Sequence, residues 1–224
     1  MAGVAVLAGG VGAARLLRGL VEVVPPEGVT AIVNTGDDMV LHGLAISPDI
    51  DTVTYTLADA IDPERGWGLR DESWQAMEAL SRYGGVTWFR LGDRDLATHL
   101  YRTQRLVDGA GLAAVTEEIA RAWGLALRIV PVTEQPLRTM ITLATDAADA
   151  AVLAVGVAAG EEISFQDYFV RLRHAVAVTG VRVAGAESAQ PAPGVLSTLA
   201  DAEVVVVAPS NPIVSIGPVM AVPG

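Results

Sequence analysis

The sequence predicts an α/β fold in which a mainly parallel sheet carries a helix-rich insertion. Apolar residues at 4–7 and 29–33 flank a glycine turn and an amphipathic helix, which together form a strand–helix–strand unit. Such a crossover joins parallel strands and packs its helix on the sheet. Residues 52–124 predict mainly helices, and short apolar runs return after residue 126. We therefore expect one α/β domain over residues 1–224, with the helical insertion at about 52–124.

The individual elements follow from periodicity and from helix and strand boundaries. The first helix ends at Pro25-Pro26, because proline lacks the N–H that a continuing helix requires. Further helices are predicted at 51–60, 72–81, 96–107, 116–124 and 165–171, and after Gly194 and Pro212. Further strands are predicted at 127–130, 139–143, 151–155, 181–184 and 203–207, which returns the chain to α/β alternation. Residues 34–51 are polar and turn-rich, so we predict a long loop of functional importance.

Composition excludes several classes of chemistry. The chain has 224 residues and no cysteine, which excludes disulfides, thiolate catalysis and cysteine-based zinc sites. All 15 basic residues are arginine, so anions must be bound by arginine, backbone N–H groups or a metal. The net charge of -11 argues against nucleic-acid binding. The chain has no apolar stretch near the roughly 20 residues of a membrane span and no positively charged leader, so we expect a cytoplasmic protein without membrane contact.

The glycine turn is the first candidate site. Gly9, Gly10, Val11 and Gly12 follow a strand and open a helix, where backbone N–H groups can bind phosphate. Arg15 adds a guanidinium suited to phosphate oxygens. The dinucleotide fingerprint requires a third glycine where Arg15 stands, and the P-loop requires a lysine. Sugar nucleotidyltransferases have a similar opening with the basic residue closer to the glycines, and a tight turn without a ligand is a further alternative.

Carboxylates after the second strand form the second candidate site. Asp37, Asp38, Asp49 and Asp51 lie within 15 residues of one another, where loops at the carboxyl ends of strands line a ligand crevice. Mg²⁺ commonly takes one or two carboxylates together with phosphate oxygens and water. The cluster therefore indicates a hard cation facing the glycine turn. The alternative is that Asp38 and Asp49 are solvated turn residues and Asp51 only caps a helix.

A third group of charges follows the apolar residues 86–89. Arg94 stands between Asp93 and Asp95. This pattern is typical either of a ligand clamp whose orientation is fixed by its neighbours or of a local salt-bridge cluster. The sequence alone leaves both interpretations open.

Seven segments taken together resemble the 2-phospho-L-lactate transferase family of deazaflavin coenzyme biosynthesis. They recur in order along nearly the whole chain, at 8–12, 33–38, 46–52, 62–68, 91–99, 165–167 and 208–218. The resemblance implies a Rossmann-like, doubly wound fold and a homodimer. Family members continue past the final Pro-Gly, so it also implies that the C-terminal part of the family chain is absent here.

The resemblance further implies a reaction. A donor in which GMP is joined to phospholactate or phosphoenolpyruvate passes its acid-bearing phosphoryl group to the ribityl hydroxyl of 7,8-didemethyl-8-hydroxy-5-deazariboflavin, and GMP leaves. Mg²⁺ is the implied cofactor. The implied metal ligands are Asp37, Asp49 and Asp51. The implied catalytic residues are Asp37, Asp51 and Arg94. The implied substrate-binding residues are Gly9, Gly10, Val11, Gly12, Asp49, Asp51, Thr52, Asp93, Arg94, Ser210, Asn211 and Pro212.

Three other functions compete with this one. A sugar nucleotidyltransferase-like enzyme would release pyrophosphate from a nucleoside triphosphate. A non-catalytic nucleotide-binding module would bind guanosine diphosphate without turnover. A Rossmann dehydrogenase would bind NAD. The proton acceptor for the leading reaction is also open between Asp51 and Asp37.

Overall fold

A computed structural model describes residues 3–144, 156–158 and 160–224. The strands are β1 Val4–Ala8, β2 Val29–Val33, β3 Met39–Leu41, β4 Leu44–Ile46, β5 Arg128–Pro131, β6 Arg138–Leu143, β7 Glu162–Ser164, β8 Val178–Ala184 and β9 Val204–Val207. The helices are α1 Gly10–Leu20, α2 Pro48–Leu57, α3 Gln75–Arg82, α4 Asp95–Val107, α5 Leu112–Ala122, α6 Val195–Asp201 and α7 Gly217–Ala221. A 3₁₀ turn spans Pro26–Gly28, and π-helical turns span Asp167–Arg171 and Pro212–Ile216.

The central sheet has four parallel strands in the order β5–β2–β1–β9. Strand β1 pairs with β2 on one side and with β9 on the other, so Val4 lies opposite both Val29 and Val204. The chain leaves β1 toward one side of the sheet and returns on the other side. Such a reversal opens a crevice at the carboxyl ends of the strands, which here are followed by Gly9, Asn34 and Ala208.

Helices cover both faces of this sheet. Because side chains alternate along a strand, Val6 and Ala8 of β1 pack in one core cluster with α1, α2 and α5. Leu7 points the other way and packs with residues of α6 and α7. Burying each such aliphatic side chain contributes about 1.5–3 kcal/mol. The predicted doubly wound α/β architecture is confirmed.

The later strands depart from the predicted alternation. Strands β6, β7 and β8 form a separate antiparallel sheet in the order β7–β6–β8. Short apolar runs do not by themselves distinguish parallel from antiparallel partners, so the sequence pattern did not predict this sheet. The strand predicted at 151–155 lies outside the described residues.

The prediction of a long loop over 34–51 was wrong. Strands β3 and β4 form a hairpin whose turn residues His42 and Gly43 have φ of 54° and 77°, as a tight hairpin turn requires. Helix α2 then begins at Pro48, because proline at the first helical position costs no hydrogen bond. Asp51 therefore lies in the first turn of α2 and is not the residue that caps it.

Four helices, α2 to α5, lie within residues 48–122, in the region predicted as the insertion, and are joined by non-helical segments. The one strand-like pairing within residues 48–122, all of which the structure describes, is an isolated bridge between Ile61 and Leu69. Within the described ranges, no helix combines the length and the apolar character that crossing a membrane requires.

Candidate active site

A cavity of about 690 Å³ lies beside the residues that follow β1 and β2. Three acidic residues, the buried Asp37 and Asp49 and the exposed Glu64, contribute to its wall together with Val11 of the glycine turn. The cationic side chains in the wall are those of Arg15, Arg65 and Arg90. The aromatic side chains in the wall are those of Trp67, Trp88, Phe89, Phe165 and Phe169.

Asp49 lies against the amino-terminal end of α1. Its Oδ2 accepts a hydrogen bond from Asn34 Nδ2 at 2.9 Å. A Cβ atom on Gly10 would lie only 3.1 Å from Asp49 Oδ1, so the carboxylate faces the glycine turn closely. Burial raises the pKa of Asp49 to about 6, although the Asn34 amide and the Gly10 backbone act in the opposite direction. The positive end of α1 thus faces a carboxylate of the protein itself.

Asp37 is the second carboxylate in the cavity wall. Its Oδ1 is buried and has no hydrogen-bond partner among the described residues. Burial, followed by the negative charge of Asp49, raises the pKa of Asp37 well above its usual range. The two carboxylates repel each other when both are ionised, and a cation between them would relieve that repulsion. Carboxylate oxygens are the ligands that Mg²⁺ prefers, so this pair fits a magnesium ion whose other ligands come from substrate phosphates and water.

Asp38, like Asp37, has a buried Oδ1 without a hydrogen-bond partner among the described residues, but its other oxygen is bound. Asp38 Oδ2 accepts a hydrogen bond from Ser47 Oγ at 2.9 Å. Burial raises the pKa of Asp38 to about 8. Asp38 does not contribute to the wall of the large cavity.

Asp51 is directed away from the other two predicted metal ligands. Successive helical residues are rotated by 100°, so Asp49 and Asp51 point about 200° apart around α2. Asp51 accepts two hydrogen bonds from the buried Arg102. Together with Thr52 it lines a neighbouring cavity of about 70 Å³, which shares the wall residues Pro48, Trp67, Phe89 and Arg90 with the large one. Among the described residues no group of three acidic or histidine side chains could hold a metal, so the structure does not assemble the predicted three-aspartate set.

Asp93 and Arg94 line neither cavity. Asp93 accepts hydrogen bonds from Ser73 Oγ at 2.6 Å and from the N–H groups of Gln75 and Ala76 at 3.0 Å, and so caps the start of α3. Arg94 Nη1 donates to the Arg70 carbonyl at 2.9 Å. Of the two interpretations of this segment, the geometry agrees with a local cluster.

The glycine turn packs tightly against the segment that follows β9. Ser210 Oγ accepts from the Ala13 N–H at 3.2 Å and donates to the Gly9 carbonyl. A Cβ atom on Gly12 would clash with the Pro209 carbonyl oxygen. These contacts explain why the turn needs glycine irrespective of any ligand.

The polar groups of the predicted Ser210–Pro212 segment are used within the protein. Asn211 Oδ1 accepts from the N–H groups of Ile213 and Val214 at 2.9 and 3.2 Å, and Pro212 begins the π-helical turn. None of the three residues contributes to the wall of the large cavity. Of the predicted glycine-turn residues, Val11 is the one that does.

Two arginines and an aromatic cluster in the wall were not among the predicted site residues. The guanidinium carbon of Arg90 lies 4.2 Å from the ring centroid of Trp74, and that of Arg65 lies 5.1 Å from the same ring. Arg65 also pairs with Asp62 at 2.7 Å. Arg65 lies in one of the segments that carry the family resemblance, whereas nothing in the sequence around Arg90 distinguishes it.

Another part of the wall is aromatic. The rings of Phe165 and Phe169 stack with centroids 5.3 Å apart, and Phe169 stacks on His174 at 5.0 Å. Phe169 lies in the π-helical turn Asp167–Arg171, and such turns are frequent at functional sites. This wall suits a flat aromatic ring.

The charges and shapes around the cavity define its chemistry. Neither Arg15 nor Arg90 has a hydrogen bond or ion pair to another described residue, so both guanidinium groups can bind an anion. The cavity thus combines a carboxylate pair that suits a cation, arginines that suit an anion, and aromatic walls that suit a ring system.

Comparison with known proteins identifies similar chains. A model of the family described as 2-phospho-L-lactate transferase CofD matches residues 4–224. A protein named phosphoenolpyruvate transferase from Streptomyces griseus is 47% identical over 222 residues, which are 99% of this chain and 66% of that protein. Proteins with the same name from Streptomyces coelicolor and Mycobacterium tuberculosis are 46% and 43% identical over 99% of this chain. This chain covers 66% and 68% of their respective lengths.

The fold also matches a solved structure. A crystal structure of a UPF0052 family member from Bacillus halodurans superposes with a TM-score of 0.64 at 18% identity. The superposition includes 100% of this chain and 63% of the Bacillus halodurans protein. At this sequence identity the match concerns the fold alone.

Proposed function

Because this chain belongs to the 2-phospho-L-lactate transferase CofD family, we propose that it is a transferase of deazaflavin coenzyme biosynthesis. In this proposal a phospholactyl or phosphoenolpyruvyl group passes from a guanosine diphosphate-type donor to the ribityl hydroxyl of 7,8-didemethyl-8-hydroxy-5-deazariboflavin. The names of the relatives favour the phosphoenolpyruvyl donor. The observation that carries the proposal is the buried Asp37 and Asp49 pair, which shares one cavity with unpaired arginines and an aromatic wall.

The proposed reaction breaks the phosphoanhydride bond of the donor and forms a phosphoester bond to the acceptor. The ribityl oxygen forms a bond to the acid-bearing phosphorus, the bond from that phosphorus to the GMP oxygen breaks, and GMP leaves with the electron pair. Asp37 is the proposed acceptor of the hydroxyl proton, because its Oδ1 has no hydrogen bond among the described residues. Asp51, the other candidate acceptor, is held by Arg102.

Asp37 and Asp49 are also the side chains that would hold Mg²⁺. When bound, the ion would neutralise charge on the diphosphate, and phosphoryl transfer depends mainly on positioning and such electrostatic stabilisation. This assignment drops Asp51 from the metal ligands implied by the family resemblance. A diphosphate would otherwise be repelled by the carboxylates of the cavity wall.

The remaining wall residues bind and orient the substrates in this proposal. Arg15 and Arg90 bind the phosphate and carboxylate groups of the donor, because both are unpaired cations at the cavity. Trp67 and Phe169 are exposed aromatic side chains in the wall and contact the deazaflavin ring. Because the glycine turn is packed against the segment after β9, Val11 is its one residue that contributes to the cavity wall.

The proposal is tested by product analysis. The purified protein is incubated with Mg²⁺, the deazaflavin alcohol and each of three synthetic donors, which carry phospholactate, phosphoenolpyruvate or phosphoglycerate. We expect equal amounts of GMP and a phosphodiester by mass spectrometry, formed fastest from the phosphoenolpyruvyl donor. Pyrophosphate release from a nucleoside triphosphate would favour the nucleotidyltransferase, binding of guanosine diphosphate without turnover a binding module, and binding of NAD a dehydrogenase.

A further inference from the structure

Arg102 on α4 is the largest fully buried side chain of the described residues, with an exposure of 0%. Its Nη1 donates to Asp51 Oδ2 at 3.1 Å, and its Nη2 donates to Asp51 Oδ1. This two-pronged contact fixes the orientation of the carboxylate as well as its position, because the guanidinium is planar. Arg102 thereby joins the insertion helix α4 to helix α2.

The contact belongs to a larger buried polar network. His99 Nδ1 lies 3.3 Å from Arg102 Nη1 and 3.7 Å from Asp51 Oδ2, and His99 Nε2 lies 3.3 Å from Asp95 Oδ2. Tyr55, also on α2, donates from its hydroxyl to Asp95 Oδ1 at 2.6 Å. Two residues of α2, Asp51 and Tyr55, are therefore held by polar residues of α4. Contacts one helical turn apart resist rotation of α2 about its axis.

Rotation of α2 matters because the same helix carries Asp49 into the cavity. Asp49 and Asp51 are separated by one residue on a rigid helical turn, so any rotation that moves one carboxylate moves the other. Arg102 itself lines neither the large cavity nor the small one. The close contact of Arg102 with Asp51 offers a path through α2 to Asp49, whereas its longer contact with the Ala45 carbonyl, at 3.4 Å, leads to β4.

We propose that Arg102 is a positioning residue for the transfer reaction, which fixes the rotation of α2 and so holds Asp49 against Asn34 and Gly10. The catalytic consequence of this inference rests on the proposed function. The restraint that Arg102 places on the rotation of α2 does not. A buried ion pair is weak evidence for stability, because well-packed apolar side chains often serve equally well. A positioning role explains why an arginine, which binds a carboxylate through two parallel hydrogen bonds, is found here instead of an apolar side chain.

The chain offers a matched control on the same helix. Arg105 makes a similar two-pronged contact with Glu118, with both N···O distances at 2.9 Å. This contact joins α4 to α5 and does not touch α2. Arg102→Lys and Arg105→Lys each keep the positive charge but lose the two-pronged contact. Comparing the two variants therefore separates an effect on α2 from a general effect on α4.

The first test needs no substrate. Amide hydrogen exchange is followed across residues 48–57 in the wild-type protein and both lysine variants. Arg102→Lys is expected to raise exchange of the hydrogen-bonded amides of residues 51–57 by about 10-fold, because local opening of α2 no longer has to break the contact between Arg102 and Asp51. Arg105→Lys is expected to leave α2 within about 2-fold of the wild type, since its contact lies elsewhere. Equal exchange of α2 in the two variants would show that Arg102 does not restrain this helix.

The second test measures turnover. Arg102→Lys is expected to lower kcat about 10-fold with little change in KM for the deazaflavin alcohol, as expected for lost alignment rather than lost binding. Arg105→Lys keeps the wild-type kcat. An Arg102→Lys variant with unchanged kcat but loosened α2 removes the catalytic part of the inference. If the wild-type protein shows no transfer, the proposed function fails. The exchange experiment still tests whether Arg102 restrains α2.

A double variant covers the case in which Arg102→Lys does not fold. Replacing both partners, Arg102→Leu with Asp51→Leu, removes both buried charges and is expected to fold with a melting temperature near that of the wild type. We expect its kcat to stay low and its α2 exchange to stay fast. Recovery of wild-type kcat in the double variant would show that the pair serves only to neutralise buried charge.

Discussion

Asp49 and Asp51 point to opposite sides of helix α2, although one residue separates them in the sequence. Asp49 accepts a hydrogen bond from Asn34 at 2.9 Å on the side of the glycine turn. Asp51 accepts two from Arg102 on the side of the insertion. The segment that looked like one carboxylate cluster therefore divides into a cavity residue and an anchoring residue.

Asp49 is expected to destabilise the metal-free protein at neutral pH. Its folded pKa of about 6 lies above its ordinary value of 3.8, so the folded state binds the extra proton. The contribution of Asp49 to the free energy of unfolding is therefore most favourable below about pH 4. It falls by ~3 kcal/mol in total as the pH rises through the folded pKa. Asp49→Asn keeps the Asn34 contact, removes this loss and stabilises the protein at pH 7 while abolishing transfer.

Urea unfolding with EDTA between pH 4 and 8 measures this effect. Asp201→Asn is the control, because Asp201 is exposed at the end of α6. Its pH dependence should follow that of the wild type. A steeper loss of stability with pH in Asp49→Asn than in the wild type contradicts the assignment.

Arg90 and Arg94 provide a direct contrast between the structural and the sequence-based assignments. Arg90 lines the cavity without a polar partner among the described residues, whereas Arg94 donates to the Arg70 carbonyl outside it. Arg90→Gln should raise KM for the donor ~10-fold or more, since a hydrogen bond to a charged group contributes about 1.5–3 kcal/mol. Arg94→Gln should leave that KM unchanged in steady-state kinetics, and the reverse pattern would restore Arg94 as the substrate contact.

Phe169 is expected to contribute to binding of the aromatic acceptor. It is 49% exposed at the cavity and stacks with Phe165, so its loss does not open the core. Phe169→Ala should raise KM for the deazaflavin alcohol ~2- to 10-fold, as stacked aromatic pairs contribute about 0.5–1.5 kcal/mol. Tyr83, exposed at the end of α3, provides the control Tyr83→Ala. Equal KM values for the two variants would remove the aromatic wall from the acceptor site.

Gly12 and Gly19 lie in the same helix but differ in their surroundings. A Cβ atom on Gly12 clashes with the Pro209 carbonyl oxygen, whereas one on Gly19 meets nothing within 4 Å. Gly12→Ala should therefore destabilise the protein by about 1–3 kcal/mol, and Gly19→Ala should stabilise it by about 0.5–1 kcal/mol. Thermal unfolding compares the two, and equal melting temperatures would refute the close approach of the segment after β9.

The sequence predicts the architecture well where the signal is local. The strand–turn–helix–strand opening and the helix-rich middle follow from apolar periodicity, and the structure confirms both. The start of α2 was misplaced, although proline at position 48 is itself a helix-start signal. The helix therefore begins three residues earlier than predicted, which places Asp51 in its first turn rather than at its cap.

Other features depend on contacts between distant segments. Asp95, His99 and Arg102 recur at helical spacing and are typical in sequence of a solvent-facing polar stripe, yet all three are buried against α2. Arg90 and Phe169 reach the same cavity from segments almost 80 residues apart, and no local spacing indicates this. Such residues become visible only when the insertion and the antiparallel sheet are packed onto the central sheet.

We propose that Asp37 belongs to the transfer site and that Asp93, predicted from the same kind of sequence pattern, does not. Mass spectrometry of GMP formed from the phosphoenolpyruvyl donor, the deazaflavin alcohol and Mg²⁺ measures this in the wild type, Asp37→Asn and Asp93→Asn. We predict a loss of at least about 100-fold in Asp37→Asn, in line with removal of one stabilising group from an active site. Asp93→Asn should retain wild-type turnover at a temperature where it is folded. Wild-type turnover in Asp37→Asn would contradict the account.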